Sequence, residues 1–401
     1  MEDRRHTERR KSTRAATGSQ SKARDTHTRI ALVLQGGGAL GAYQAGVYEA
    51  LSGTQYCPNW IAGVSIGAVN ASIIAGNPPE KRVERLTEFW HRVSSHFLLP
   101  APAEPQIRMF FNWASATFAA TAGVPGFYRP RHSHELFGLP GMRANSIYDT
   151  RPLRKTLEEL IDFDLINARK IRLSLGAVEV ETGNSVYFDN HHMEIRPEHV
   201  IASGALPPAF EPVEIDGKHY WDGGIVSNTP LQYVLDHRAE APPLVLQVDL
   251  FSAHGELPHD LGTTMVRHKD IMYSSRTRFN TDTLRERANL HRAVGDLLDD
   301  LPAEFANHPA VKKLRRFQCP QEINIVHLIY RPPAHHLDSK DYEFSRASVE
   351  ERWAEGKRDV QTCIDHPDWL RRSAGSDAVT TYDLTNPHHG KTMMGVHTDE
   401  N

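Results

Sequence analysis

The sequence predicts an α/β protein, a mostly parallel sheet with helices on its faces. Three observations predict it. Short apolar runs alternate with helical stretches from residue 29 onward, the first run opens into the glycine-rich loop "QGGGALG", and the second ends in "GVSIG" before another helical stretch. Uninterrupted apolar runs bounded in this way read as strands buried on both faces.

The elements follow in order. Residues 29–35, apolar over Ile30–Leu34, form the first strand, and residues 41–52 the first helix. Trp60–Val64 is a second strand ending in Ser65, and Ile66–Ala75 continues as a helix stopped by "GNPP". Gly67, Ala68, Ala71 and Ala75 on one side of that helix let its backbone lie close to the sheet. Residues 81–97 read as a surface helix. Residues 109–128, "MFFNWASATFAATAGVPGFY", are twenty positions without a charge, long enough to span a membrane but too polar and broken at Asn112, Ser115, Gly123 and Pro125. A cap lining an apolar channel and an ordinary buried hairpin or helix both remain open for it.

Residues 172–180 and 185–188 read as strands joined through "ETGN", and residues 213–215 and 219–221 flank Asp216-Gly217, a strong hairpin signal. Thr229 and Pro230 serve as N-cap and first residue of the next helix. Residues 244–250 are another buried strand, 271–301 a long charged helix and 323–330 one more strand. Ser348 with Glu351 forms a capping box for a helix whose apolar stripe is Val349, Trp353, Val360 and Ile364. The resulting organisation is a disordered basic tail over 1–28, a main domain over 29–250, a helical C-terminal extension with one added strand packed on it over 251–371, and a flexible tail over 372–401.

Composition narrows the function. A chain of 401 residues with 39% hydrophobic residues and a net charge of −4 fits a globular protein and argues against a nucleic-acid partner. Cys57, Cys319 and Cys363 are odd in number and far apart, so neither a disulfide framework nor a zinc site is expected, and a reducing compartment is the default. The first 29 residues carry nine Arg or Lys against four acids and no apolar core, so they do not read as a secretory signal. The expected location is the cytoplasm. The tail's charge would suit an anionic bilayer at the inner membrane face, and the plainer reading, a solvated tail, stays open beside it. Nothing in the sequence speaks to oligomeric state.

The chemistry sits in three motifs. "GVSIG" places Ser65 on a strand-to-helix turn, where Gly63 and Gly67 remove side chains that would collide and a strained backbone pushes the hydroxyl clear of the sheet. The glycine loop fits GxGxxG spacing, but a dinucleotide site wants an acidic residue about 20 positions on, at the end of the next strand. That strand ends in Gly63, Val64 and Ser65. Gly36, Gly37 and Gly38 therefore read as an oxyanion hole, whose backbone N–H donors are each worth roughly 3 kcal/mol of barrier. "YWDGGIVSNTP" offers a base, Asp222, with Gly223 and Gly224 leaving space beside it; alone it reads equally as a turn-capping Asp.

A histidine base is the competing reading. His191, His192, His199 and His219 precede Asp222, against the Ser, Asp, His order of an α/β-hydrolase, while His237, His254 and His259 stay open on order. The adjacent pairs His191-His192 and His335-His336 diverge in direction, and no carboxylate spacing completes a metal site with them.

The loop, GxSxG and DGG, in that order, resemble the patatin-like phospholipase family, and "ASGALPPAFEPVEIDGKHYWDGG", residues 202–224, is similar to the stretch bacterial members carry before their catalytic Asp. The likeness spans about residues 29–250, and the sequence past Phe251 resembles a C-terminal extension of unassigned role in a bacterial branch. The resemblance implies a three-layer α/β/α fold and a Ser-Asp dyad without histidine. Ser65 is then the nucleophile, Asp222 the base and Gly36, Gly37 and Gly38 the oxyanion donors, with no metal or cofactor. It implies hydrolysis of a lipid acyl ester through an acyl-enzyme, as a phospholipase A, lysophospholipase or lipid esterase; acyl transfer to another alcohol and a catalytically weak lipid-binding scaffold are the alternatives. One departure stands out: Leu40 occupies the place where many members carry Arg or Lys, which puts neutral esters and lysolipids level with phospholipids.

Overall fold

A computed structural model describes residues 29–137, 144–237, 244–274, 277–315, 323–332, 337–365 and 379–383. The chain runs β1 (Ile30–Leu34), α1 (Ala42–Ser52), β2 (Trp60–Val64), α2 (Ile66–Ala75), α3 (Arg82–Val93), α4 (Pro105–Ala122), β3 (Arg129–Pro130), α5 (Ser133–Phe137), β4 (Tyr148–Asp149), α6 (Arg151–Leu160) and α7 (Phe163–Asn167). It continues through β5 (Arg172–Glu179), β6 (Ser185–Asp189), α8 (Pro197–Ser203), β7 (Val213–Ile215), β8 (Lys218–Asp222), α9 (Leu231–Asp236) and β9 (Leu244–Asp249). The last part holds α10 (Leu261–Tyr273), α11 (Thr277–Asp300), α12 (Pro309–Leu314), β10 (Ile323–Ile329), α13 (Arg346–Asp365) and β11 (Val379–Asp383).

The sheet order is β11-β10-β9-β1-β2-β5-β8-β7, with β6 also paired to β5. From β11 to β5 every neighbour is parallel; β6, β8 and β7 add antiparallel pairs at the far side. β1 lies at the centre and is wholly buried, as its apolar run IALVL requires. The chain leaves β1 for β2 on one side and returns as β9 on the other, and such a reversal opens a crevice at the carboxyl ends of the strands. Both faces are covered: α1, α2, α3 and α13 contribute to the larger core, and α9 packs over Ala31, Val33 and Val245 on the opposite face. This is the mostly parallel α/β architecture expected.

Several elements differ from the sequence reading. Residues 379–383, assigned above to a flexible tail, form β11 in register with β10, so the C-terminal region adds two strands and not one. The alternating "VTTYD" carries the β-branched and aromatic residues a strand favours. The α13 helix starts at Arg346, ahead of the expected box: the Ser345 hydroxyl accepts from the Ser348 amide at 3.3 Å, so Ser345 caps it and Ser348 lies in its first turn. Pro230 rather than Thr229 is the N-cap of α9, because the Thr229 hydroxyl instead accepts from the Gln35 side chain at 3.0 Å. The expected hairpin turn is present, with Asp216 at φ 52° and Gly217 at φ 81°. The charge-free stretch forms most of α4 and a following turn, and among the described residues no helix is long and apolar enough to cross a membrane. Residues 1–28, Cys319, His335, His336 and most of 372–401 lie outside the described residues.

Candidate active site

Parallel pairing of β1 with β2 brings the glycine loop and Ser65 out at the same sheet edge. Ser65 sits at φ 57°, ψ −126°, a left-handed conformation that costs a side-chain-bearing residue about 1–3 kcal/mol. The surrounding backbone enforces it. A Cβ on Gly63 would stand 2.4 Å from the Gly67 carbonyl oxygen, and one on Gly67 2.4 Å from that of Leu34, so only glycine lets the strand, turn and helix close on one another. The Ser65 amide donates to the Ser203 carbonyl at 3.0 Å, and the Ser203 hydroxyl donates to the Gly176 carbonyl at 2.6 Å, which pins the turn to α8 and β5. As N-cap of α2, Ser65 also lies where the helix dipole favours negative charge.

Asp222 ends β8, paired opposite Ala177 of β5, and is 2% exposed. Its carboxylate accepts from the Gly224 amide at 2.7 Å, and Ser65 lines the same cavity beside it. Burial is the dominant influence and pushes its pKa up to about 7, while the Ser65 hydroxyl and the Gly224 amide pull it down. A carboxylate so poised exists in both protonation states near neutral pH, the condition general base work requires.

The glycine loop departs from expectation in one respect. The Gly36 amide is already committed, donating to the Asn228 carbonyl at 3.1 Å, while the Asn228 side-chain amide donates back to the Gly36 carbonyl at 3.1 Å. Gly36 is therefore a splice between the loop and the Asp222 turn, not a free donor. The Gly37 and Gly38 amides have no acceptor among the described residues. Gly38 takes φ 54°, and a Cβ there would lie 2.1 Å from the Asp341 carbonyl oxygen. Gln35, wholly buried before the loop, accepts from the Leu250 and Phe251 amides and donates to the Thr229 hydroxyl and the Tyr273 carbonyl.

These groups open into one cavity of about 340 Å³, within the range of small-molecule sites. Ser65, Asp222, Gly36, Gly37, Gly38 and Gly224 stand on one side, and Leu153, Leu206, Phe210, Phe127 and Tyr128 line the apolar walls. Ala120 of α4 also lines it, so the charge-free stretch does contribute to an apolar chamber. Tyr273, Asp341, Tyr342 and Phe344 complete it from the C-terminal region. Among the described residues no histidine lines the cavity: His219 lies 2.6 Å from Glu181 at the surface, His199 accepts from the Arg196 amide, His237 stacks near Tyr233, and His254 and His259 are exposed. Asn228, Ser203 and Asp341 went unremarked in the sequence. Asn228 had a signal, six positions after Asp222 in "DGGIVSN"; the other two act through the fold alone.

A strained serine at the carboxyl edge of a mostly parallel sheet thus opens into an apolar chamber. The chain belongs to the patatin-like phospholipase family, whose model matches residues 32–235; a second model, described as patatin phospholipase, matches residues 271–376. Uncharacterized NTE family proteins of Mycobacterium bovis and Mycobacterium tuberculosis are 28% identical over 203 residues, 51% of this chain and 44% of theirs. The chain spans about half the length of these curated relatives. The crystal structure of VipD from Legionella pneumophila aligns over 85% of this chain and 67% of that one, at 16% identity and a TM-score of 0.36.

Proposed function

We propose that the protein hydrolyses lipid acyl esters through a Ser65–Asp222 dyad and an acyl-enzyme. Ionised Asp222 takes the Ser65 hydroxyl proton as the oxygen attacks the ester carbonyl, and the oxygen that becomes negative is met by the Gly37 and Gly38 amides. Asp222 then returns the proton to the departing alcohol, and a water activated by the same carboxylate releases the fatty acid. The apolar walls suit an acyl chain, and residues 251–371 serve in this reading as part of the chamber. The observation that carries it is the convergence, in one cavity, of a serine held at φ 57° and a buried carboxyl whose pKa burial raises to about 7.

A fluorophosphonate probe tests it directly. The expected result is one label on Ser65, absent in Ser65→Ala and strongly slowed in Asp222→Asn, together with release of free fatty acid from a lysolipid or neutral ester. Labelling elsewhere, or Asp222→Asn reacting at the rate of the unsubstituted protein, overturns the dyad.

A further inference from the structure

Beneath the glycine loop lies a cation with no part in the chemistry above. Arg352, in the second turn of α13, is 1% exposed. Its Nη1 donates to the carbonyls of Ala39 at 3.2 Å and Glu343 at 2.9 Å, and its Nη2 to the carbonyl of Lys340 at 3.0 Å, with the buried Glu343 carboxylate 3.4 Å away. One planar group thus grips the glycine loop and the 340–343 turn together, a task that suits the fixed donor fork of an arginine.

The grip reaches the cavity in two rigid steps. The Ala39 carbonyl and the Leu40 amide share a peptide plane, so fixing the first orients the second. The Leu40 amide donates to the Gly37 carbonyl at 3.1 Å. That carbonyl shares its plane with the Gly38 N–H, one of the two amides without an acceptor. From the other side the Asp341 carbonyl presses on Gly38. We propose that Arg352 is a positioning residue that aims the Gly38 amide into the cavity, which makes the C-terminal region part of the working site; this rests on the acyl-hydrolase reading above.

Docking of α13 does not need the guanidinium. Its backbone meets α1 closely at Gly46, where a Cβ would be 1.9 Å from the Trp353 carbonyl oxygen, and at Gly356, where one would be 2.2 Å from that of Tyr43. The Tyr43 hydroxyl adds a 2.6 Å bond to Asp359. A buried ion pair, moreover, seldom stabilises a fold more than apolar residues of the same volume, whereas it does fix direction.

The experiment compares Arg352→Met, Arg352→Lys and Tyr43→Phe, reading kcat and KM on a soluble short-chain p-nitrophenyl ester and hydrogen exchange at the Leu40 amide. In Arg352→Met kcat should fall roughly 10- to 100-fold with KM held within about threefold, and Leu40 should exchange at least about tenfold faster. Arg352→Lys should recover part of both, and Tyr43→Phe, which loosens α13 alone, should change neither. Unaltered kcat and exchange in Arg352→Met overturn the proposal, as does an equal loss in Tyr43→Phe. If Arg352→Met does not fold, Arg352→Lys decides, since wild-type kcat and exchange there overturn it. If the unsubstituted protein hydrolyses no ester, the functional reading has failed, and Leu40 exchange still decides for or against Arg352 as the residue that fixes the loop.

Discussion

The glycine loop after β1 and the turn at 338–343 pack against each other beside the cavity, yet they are held by opposite means. The loop owes its shape to missing side chains: Gly36, Gly37 and Gly38 allow Asn228, Leu250 and Asp341 to approach closer than a Cβ would permit. The turn owes its shape to buried charge. Lys340 is paired with Asp270, Lys269 bonds the Asp341 carboxylate at 2.7 Å and the Asp338 carbonyl at 2.6 Å, and Glu343 faces Arg352. One wall is set by local backbone sterics, the other by ion pairs between distant segments. Substitutions in the glycine loop, or of Arg352 which grips it, should therefore strike the rate, and those of the turn's other charges the fit of the substrate.

The largest expected effects lie among the reacting groups. Ser65→Ala should lower kcat/KM on a lysolipid by on the order of 10⁴-fold or more with unchanged circular dichroism, and Asp222→Asn nearly as much. Next comes Gly38→Ala, which forces a side chain into left-handed backbone and against the Asp341 carbonyl. A drop in kcat of about 10²-fold and a stability loss of about 1–3 kcal/mol are expected by steady-state kinetics and thermal melting. Gly53→Ala, with open space around its Cβ and a negative φ, is the matched control and should leave both near their starting values.

The pH profile follows. With Asp222 titrating at about 7 and active only when ionised, kcat/KM should rise about tenfold between pH 6 and pH 8. Stability runs the other way. The folded-state pKa lies above the unfolded value, so the native carboxyl holds its proton while the unfolded one has lost it, and stability falls as pH rises from about 4 to 7. Asp222→Asn should accordingly raise the melting temperature at pH 8 and leave it unchanged at pH 3, by differential scanning calorimetry; a gain of equal size at both pH values would deny the shift. The smallest effect belongs to the turn: Lys269→Met should raise KM about three- to tenfold with kcat within about twofold. A larger loss in kcat than in KM there would erase the distinction between the two walls.

The same contrast explains what the sequence could reveal. GVSIG, the glycine loop and the Asp216-Gly217 hairpin were legible because each encodes a backbone demand within a few residues. The pairing of Ser65 with Asp222 came from the family resemblance, and the geometry that supports it depends on β8 reaching β5. The engagement of Gly36 by Asn228, 192 positions away, and of Ala39 by Arg352, 313 positions away, has no local signature. Capping failed for a related reason. Ser348 and Ser345 are equally good caps in isolation, and Thr229 is a good one until Gln35 takes its hydroxyl.

The place of β10 beside β9 has a consequence for how far the chain could be shortened. A chain ending at residue 250 would leave β9, wholly apolar but for Gln247 and Asp249, as a bare sheet margin with a row of unpaired amide and carbonyl groups. Such a margin recruits strands from other molecules, so the shortened protein would be expected to self-associate before it could be assayed.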